Sequence, residues 1–329
     1  MHLDQVAHVT LGFLPTPIHV LEQFSATLAG PQISIKRDDL TGLAFGGNKV
    51  RKLEYILAQA LQENADCIIT AGAMQSNHCR QTAAAAAKLN LECHLVLGGE
   101  APPATNGNLL LDQLLGCHIH WAGDKRKGED IPELVNKLKT LGKKPYVVPY
   151  GGSNELGVLG FVQAMKELYE QSNQCIPYSH IVFASSSGAT QAGLMLGRAM
   201  LKNNCELIGI AIDKEEINQQ SLADNILMLA NQTALKLDFN YEFTRQHLNL
   251  DENYVAAGYG VIGESEKEAI KLLADAEGVL LDPVYTGRAM AGLIDYVRTK
   301  KIKSHEHVLF WHTGGLPALF AYADDVLNL

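Results

Sequence analysis

The chain has 329 residues, 47% of them hydrophobic and 19% charged. This is an ordinary balance for a globular protein with a sizeable core in one large or two smaller domains. A net charge of −9 argues against a dedicated nucleic-acid binder, and no apolar run is long enough to span a bilayer.

From the N-terminus, "MHLDQVAHVTLGF" lacks the basic start and apolar core of a secretory signal. "AFGGNKVRKLEYILAQAL" (44–61) predicts a helix beginning near Lys49, with Leu53, Ile56, Leu57, Ala60 and Leu61 on one face. At 100° per residue Lys49 lies within about 45° of that face's centre, Lys52 about 105° and Arg51 about 155° away. Lys49 is thus expected to point inward, with Lys52 at the flank and Arg51 in solvent. An ordinary first-turn lysine snorkelling past an apolar edge fits this segment; so does a desolvated amine of lowered pKa suited to Schiff-base chemistry. The likeness of "GLAFGGNK" to a nucleotide phosphate loop fails, because Asn48 intervenes, Val50 follows the lysine and no strand leads in.

Strands and helices then alternate. "DCIITAG" (66–72) reads as a buried strand, "HCRQTAAAAAKLN" (78–90) as a helix, "CHLVLGG" (93–99) as a strand and "NGNLLLDQLLG" (106–116) as a helix. "CHIHWAG" (117–123) returns to strand, and "PYVVPYGGSN" (145–154) ends on a Gly-Gly turn. "FVQAMKELYEQS", "HIVFASSSG", "TQAGLMLGRAML" and "CELIGIAI" continue as helix, strand, helix and strand. Such alternation predicts an α/β protein with largely parallel sheets. Glycine clusters near 41–47 and 150–157 suggest seams, with 44–155 as a small α/β domain and 1–43 plus 156–329 as a large one. The six cysteines are scattered without a C-x-x-C pair, so no zinc site or disulfide framework is expected, and a reducing, cytoplasmic setting fits best.

Two loops stand at strand-to-helix junctions. "AGAMQSNHC" (71–79) sets Ser76 and Asn77 before a helix whose free N–H groups suit an anion. Asn77 as a simple helix cap is the plainer account, which leaves Gln75 and Ser76 unexplained. "SSSGATQAG" (185–193) forms a cup of small residues in which backbone N–H groups with Ser187 or Thr190 can grip a phosphate; a plain Ser/Gly connection fits it equally. Farther on, "DPVYTGRAMAGL" and "FWHTGGLPALF" carry Tyr285, Thr286 and Thr313 beside turn residues.

Taken together, GGNKVRKLEY, QSNH, SSSGATQAG, DPVYTG and HTGGLPALF resemble, in order and across residues 14–320, the pyridoxal-phosphate enzymes comprising D-cysteine desulfhydrase and 1-aminocyclopropane-1-carboxylate deaminase. The resemblance implies the tryptophan-synthase-β-like fold (fold type II): two α/β domains, pyridoxal 5'-phosphate between them, and a homodimer. It makes Lys49 the residue that carries the cofactor covalently, Asn77 a partner of the ring oxygen, and Ser187, Gly188, Ala189 and Thr190 the phosphate cup. Ala189 stands where relatives often have glycine or serine, so only its N–H remains there. Ser76 with Asn77 and His78 would hold the substrate carboxylate, Tyr285 would lie against the ring, and Tyr259 would approach the substrate.

Cyclopropane-opening members carry a glutamate after the tyrosine of DPVY and a leucine before the late Gly-Gly, where this chain has Thr286 and Thr313. A hydroxyl beside the ring nitrogen makes a weaker electron sink than a carboxylate, one suited to β-elimination. The implied reaction is therefore conversion of D-cysteine to pyruvate, hydrogen sulfide and ammonia. Deamination of the cyclopropane substrate, or elimination from another substrate such as L-cysteate, are the alternatives. Neither metal, nucleic acid nor membrane is expected as a partner.

Overall fold

The computed structural model describes residues 3–213, 220–255 and 258–327. Its elements begin with β1 (Ile18–Val20), α1 (Glu22–Leu28), β2 (Gln32–Arg37), α2 (Lys49–Gln62), β3 (Cys67–Ala73) and α3 (Asn77–Lys88). They continue with β4 (Glu92–Gly98), α4 (Gly107–Leu114), β5 (His118–Trp121), α5 (Ile131–Thr140), β6 (Pro145–Val147) and α6 (Glu155–Gln171). Next come β7 (His180–Ser185), α7 (Ala189–Met200), β8 (Glu206–Ala211), α8 (Leu222–Lys236) and β9 (Leu250–Asp251). The chain finishes with α9 (Glu264–Glu277), α10 (Thr286–Arg298), β10 (His307–His312), α11 (Leu316–Ala321) and α12 (Ala323–Leu327).

The strands form two sheets, ordered β1-β2-β10-β7-β8-β9 and β5-β4-β3-β6. Among the described strands only the β1–β2 pair is antiparallel. Strand alternation explains the unbroken apolar runs. Ile181, Phe183, Leu309 and Trp311 enter one core, whereas Val182, Ala184, Val308 and Phe310 enter another on the opposite face. A sheet covered on both faces needs apolar residues at every position, and each buried Val, Ile, Leu or Phe contributes roughly 1.5–3 kcal/mol. The smaller sheet repeats this: Ile68, Leu95 and Leu97 face one core, Cys67, Ile69, Ala71 and Val96 another.

One expectation is corrected. Arg51 and Lys52 do not point to the flank and solvent; each is 1% exposed. The helical wheel assumed one buried face, but α2 packs on α3 on one side and on α6 on another, so its residues from Val50 to Ala58 are all buried. Arg51 survives there because it is fully paired. Its Nε and Nη2 donate to Asp38 at 2.8 Å each, and its Nη1 donates to Glu167 Oε2 at 2.8 Å. Lys36 Nζ donates to Glu167 Oε1 at 2.5 Å, and Trp311 Nε1 to Asp38 Oδ2 at 2.8 Å. Helix α5 was not foreseen as an element, although its Leu134 and Leu138 seal the smaller sheet's second core.

Candidate active site

Three loops that leave the carboxyl ends of β3, β7 and β10 meet the start of α2. Crevices outside those strand ends are where parallel α/β sheets bind ligands. The cleft is lined by Asn48, Lys49, Asn77, His78, Ala184, Ser186, Ser187, Gly188, Thr190, Tyr285, Thr313 and Gly314, polar groups converging from several segments as small-molecule sites require. A roomier groove bounded by Tyr55, Glu54 and Glu167 offers less chemistry. Glu54 already accepts from the Leu11 and Gly12 amides, and Glu167 from Arg51 and Lys36.

Lys49 opens α2. The loop before it is fixed by backbone approach: a Cβ on Gly314 would stand 2.7 Å from Gly47 Cα, while the Asn48 N–H donates to Thr313 O at 2.9 Å. Asn48 Nδ2 donates to Thr190 Oγ1 at 3.2 Å. Lys49 is half-buried and lines the cleft. Desolvation lowers its pKa to about 8, and a hydrogen bond with Lys52 works against that lowering. Lys52 is pressed down harder, by burial and by the charge of Lys49, and its Nζ donates to Gly151 O at 3.1 Å.

After β3, Ser76 rather than Asn77 caps α3, its Oγ accepting from Cys79 N at 3.2 Å. The cap that seemed natural for Asn77 therefore belongs to its neighbour. Asn77 Oδ1 instead accepts from Asn108 Nδ2 at 2.9 Å, which leaves its own amide donors for the cleft it lines. Asn108 is in turn gripped by Arg80 Nε at 2.8 Å, and Arg80 reaches on to the carbonyls of Ala44 and Gly46 ahead of Lys49.

His78 is buried and pairs with Thr70 through Nε2 at 2.9 Å. Thr70 Oγ1 spends its hydrogen on Val148 O at 2.9 Å, so His78 Nε2 must be the donor. Burial, then the charges of Lys49 and Lys52, hold the imidazole neutral. Its Nδ1 is left with a lone pair and no partner among the described residues. This corrects the expectation for His78: neither nitrogen is left to donate to a substrate carboxylate.

The β7–α7 loop forms a cup. Gly188 has φ +98°, and a Cβ there would meet Asn225 Nδ2 at 3.0 Å. Ser187 Oγ accepts from Ser153 Oγ at 2.8 Å, and Ser187 O from Asn225 Nδ2 at 2.9 Å. The cup thus sits on α7's first turn, whose N–H groups and dipole favour an anion. Ser153 and Gly151 back it; a Cβ on Gly151 would press on Ser187 Oγ at 2.2 Å. In sequence "YGGSN" reads only as a seam, so this support was not foreseen.

Tyr285 Oη and Tyr259 Oη lie 2.8 Å apart with rings edge to face. Burial first, then neighbouring phenols, pushes both up, so both stay protonated at neutral pH. Thr286 departs from expectation. It is fully buried, its Oγ1 donating to Asp282 Oδ1 at 2.8 Å, and it does not line the cleft. Asp282 also accepts from the backbone N–H groups of Val284, Tyr285 and Thr286. Thr286 and Asp282 therefore brace the Tyr285 turn from behind, and the Thr286 hydroxyl, expected beside a ring nitrogen, is taken up by Asp282.

A basic amine, an anion cup, side-chain donors and an aromatic face around one cleft suit an aromatic aldehyde bearing a phosphate. The small residues of the cup at the start of α7 and the His78 Nδ1, which has no partner among the described residues, fit such a group. Fold and site thus define an α/β protein with a lysine-lined cleft at the carboxyl ends of its parallel strands. The sequence pattern of the family described as pyridoxal-phosphate dependent enzyme matches residues 9–314, and the chain belongs to that family.

It is 45% identical over 316 residues to the D-cysteine desulfhydrase of Klebsiella pneumoniae (strain 342), covering 94% of each chain. A crystal structure of an ACC deaminase homologue superposes with a TM-score of 0.90 at 38% identity, covering 99% of this chain and 97% of that one. Threonine deaminase isoform 2 from Solanum lycopersicum, at 18% identity and a TM-score of 0.65 over 98% of this chain and 89% of that one, shares the fold.

Proposed function

We propose that the chain catalyses β-elimination from D-cysteine, releasing pyruvate, hydrogen sulfide and ammonia. The observation that carries this is the Lys49 amine, with a pKa near 8, in one cleft with the anion cup and Thr313. The 45% identical D-cysteine desulfhydrase supports the choice of substrate. Pyridoxal phosphate supplies the electron sink for charge developing at the substrate Cα.

The chain's own residues do the rest. Ser187, Gly188, Ala189 and Thr190 would hold the cofactor's phosphate, Asn77 would donate to its ring oxygen, Tyr285 would lie against the ring and Thr313 would meet its nitrogen. The Lys49 amine, poised near neutrality, takes the Cα proton. Ser76 and Asn77 receive the substrate carboxylate at the α3 N-terminus. The Tyr259–Tyr285 pair, being protonated, offers a hydrogen-bond donor to the departing sulfur and is not a base.

Likeness to the ACC deaminase homologue supports deamination of 1-aminocyclopropane-1-carboxylate as a second reading. Side-by-side assay of D-cysteine, L-cysteine, L-cysteate and the cyclopropane compound separates them, and faster turnover of the cyclopropane overturns our choice. Borohydride reduction of the holoenzyme should fix the cofactor on Lys49, and a Lys49→Ala variant that is still labelled would sink the assignment.

We further read residues 44–155 as the small domain, and the protein as a cytoplasmic homodimer. All six cysteines are free, which supports a reducing compartment. An apolar groove bordered by the exposed Phe45, Leu110 and Phe320 supports self-association. Light scattering giving a monomer mass would refute the dimer. No helix among the described residues is long and apolar enough to cross a membrane.

A further inference from the structure

Arg126 lies on the loop after β5, in the layer of the four-stranded sheet, yet its guanidinium reaches the layer of the six-stranded one. Its Nη2 donates to Asp213 Oδ2 at 2.7 Å, and its Nη1 to Tyr150 Oη at 3.2 Å. The same group sits 4.4 Å from the centroid of the Tyr259 ring. A guanidinium over an aromatic face is attracted to it while its fork still bonds in plane.

Both ends of this contact are anchored. On one side, Gly99 and Gly123 exchange backbone hydrogen bonds at 2.6 and 3.2 Å, tying the Arg126 loop to the end of β4. A Cβ on Gly98 would strike Arg126 Cβ at 2.7 Å, so that glycine lets the loop pass. On the other side, Asp213 follows β8 directly, with the Ile212 N–H donating to Ser185 O at 3.0 Å. The Tyr259 turn is held from beneath by Arg288, which donates to Gly258 O, Val261 O and Ile212 O and pairs with buried Glu266 at 2.8 Å.

We propose that Arg126 is a positioning residue for Tyr259: carried by one layer and bonded to Asp213 in the other, it stacks on the tyrosine and sets its hydroxyl at the cleft only while the two layers are closed together. This deepens the reading of Tyr259 as a substrate contact and rests on it. A ring held on one face by Arg126 and at its hydroxyl by Tyr285 has little freedom left. Loss of the Arg126–Asp213 pair would withdraw the stack from the Tyr259 ring while Arg288 still holds the backbone of its turn, which couples the approach of the two layers to placement of the phenol.

The test uses the holoenzyme and two readouts. Hydrogen–deuterium exchange of the segment carrying Tyr259 should rise in both Arg126→Ala and Asp213→Asn, with α9 and α10 unchanged. Turnover of D-cysteine is measured in a cycle of Arg126→Ala, Tyr259→Phe and the double variant. Each single change should lower kcat by about tenfold, and the double variant should lose little more than either alone, because residues acting through one contact are not additive. Arg126→Lys, which keeps the charge but not the planar stack, should fall between.

Unchanged exchange around Tyr259 in Arg126→Ala overturns the inference, whatever the tyrosine does. Losses that multiply in the double variant also overturn it, since Arg126 would then act by another route. Full activity in Tyr259→Phe sinks instead the reading of Tyr259 as a substrate contact, and the exchange result then judges Arg126 by itself.

Discussion

Lys49 and Lys52, three residues apart on the first turn of α2, are hydrogen-bonded to each other at the cleft's edge. Two amines this close in a desolvated place cannot both hold a proton cheaply. Lys52 is the one pressed further down, so it accepts from Lys49 and passes its own hydrogen to Gly151 O, 3.1 Å away. Lys49 keeps a pKa near 8 instead of falling lower.

The first prediction follows from that pair. Only the neutral amine attacks an aldehyde, so the rate of cofactor loading onto apoprotein should rise with pH, with a midpoint near pH 8. Removing the acceptor in Lys52→Met should move that midpoint to lower pH. Stopped-flow absorbance of bound cofactor across pH 6 to 10 checks both, and an unmoved midpoint in the variant denies the coupling.

Arg51 stands between two carboxylates with no solvent to replace it. Arg51→Met should cost about 3–5 kcal/mol in urea unfolding, as expected when a buried ion pair loses one partner. Burial opposes ionisation of Asp38 and Glu167, and Arg51 outweighs it, holding both carboxyls below their ordinary values. Their contribution is present above those ordinary values and is lost as pH falls through the depressed ones. The gap between variant and wild type should therefore be full at pH 7 and narrow in acid. A gap that widens in acid contradicts the network.

At the cup, Gly188→Ala asks a side chain to adopt φ +98° against Asn225. The left-handed backbone costs roughly 1–2 kcal/mol, and the strain falls on the phosphate loop. Cofactor dissociation should quicken by about tenfold with circular dichroism unchanged. Wild-type retention of the cofactor would show that the loop is not what holds it.

Asp112 is fully buried, and neither carboxyl oxygen has a hydrogen-bond partner among the described residues. Burial lifts its pKa to about 8 against the opposing charge of Arg80. A raised carboxyl favours the fold below its ordinary value of 3.8, and that contribution is lost as pH rises to about 8. Asp112→Asn should therefore be neutral in acid and more stable than wild type by about 1–3 kcal/mol near pH 8. Thermal melts at about pH 3 and about pH 8, on either side of the window, decide it, and equal offsets at both would refute the assignment.

Much of the site was legible in the chain because it is local. A loop that must present N–H groups to an anion is written as small residues before a helix, so Ser187–Thr190 and Ser76–Asn77 stood out, and Lys49 fell on the inward face of α2. Burial of Arg51 and Lys52 was not legible, because a helical wheel knows one face and α2 has two neighbours. The same limit hid the roles of Asn108, Asp282 and Ser153. Each is an ordinary polar residue until folding brings it within 3 Å of a partner 31, 4 or 34 positions away.

What the sequence alone determined is the alternation of strands and helices and the position of the small-residue loops before α3 and α7, since hydrophobic period and turn chemistry act over a few residues. Tertiary structure decided which ions are buried, which threonine faces the cleft and which arginine joins the two layers. Those depend on contacts between distant segments, where desolvation and pairing compete and only the assembled geometry says which prevails.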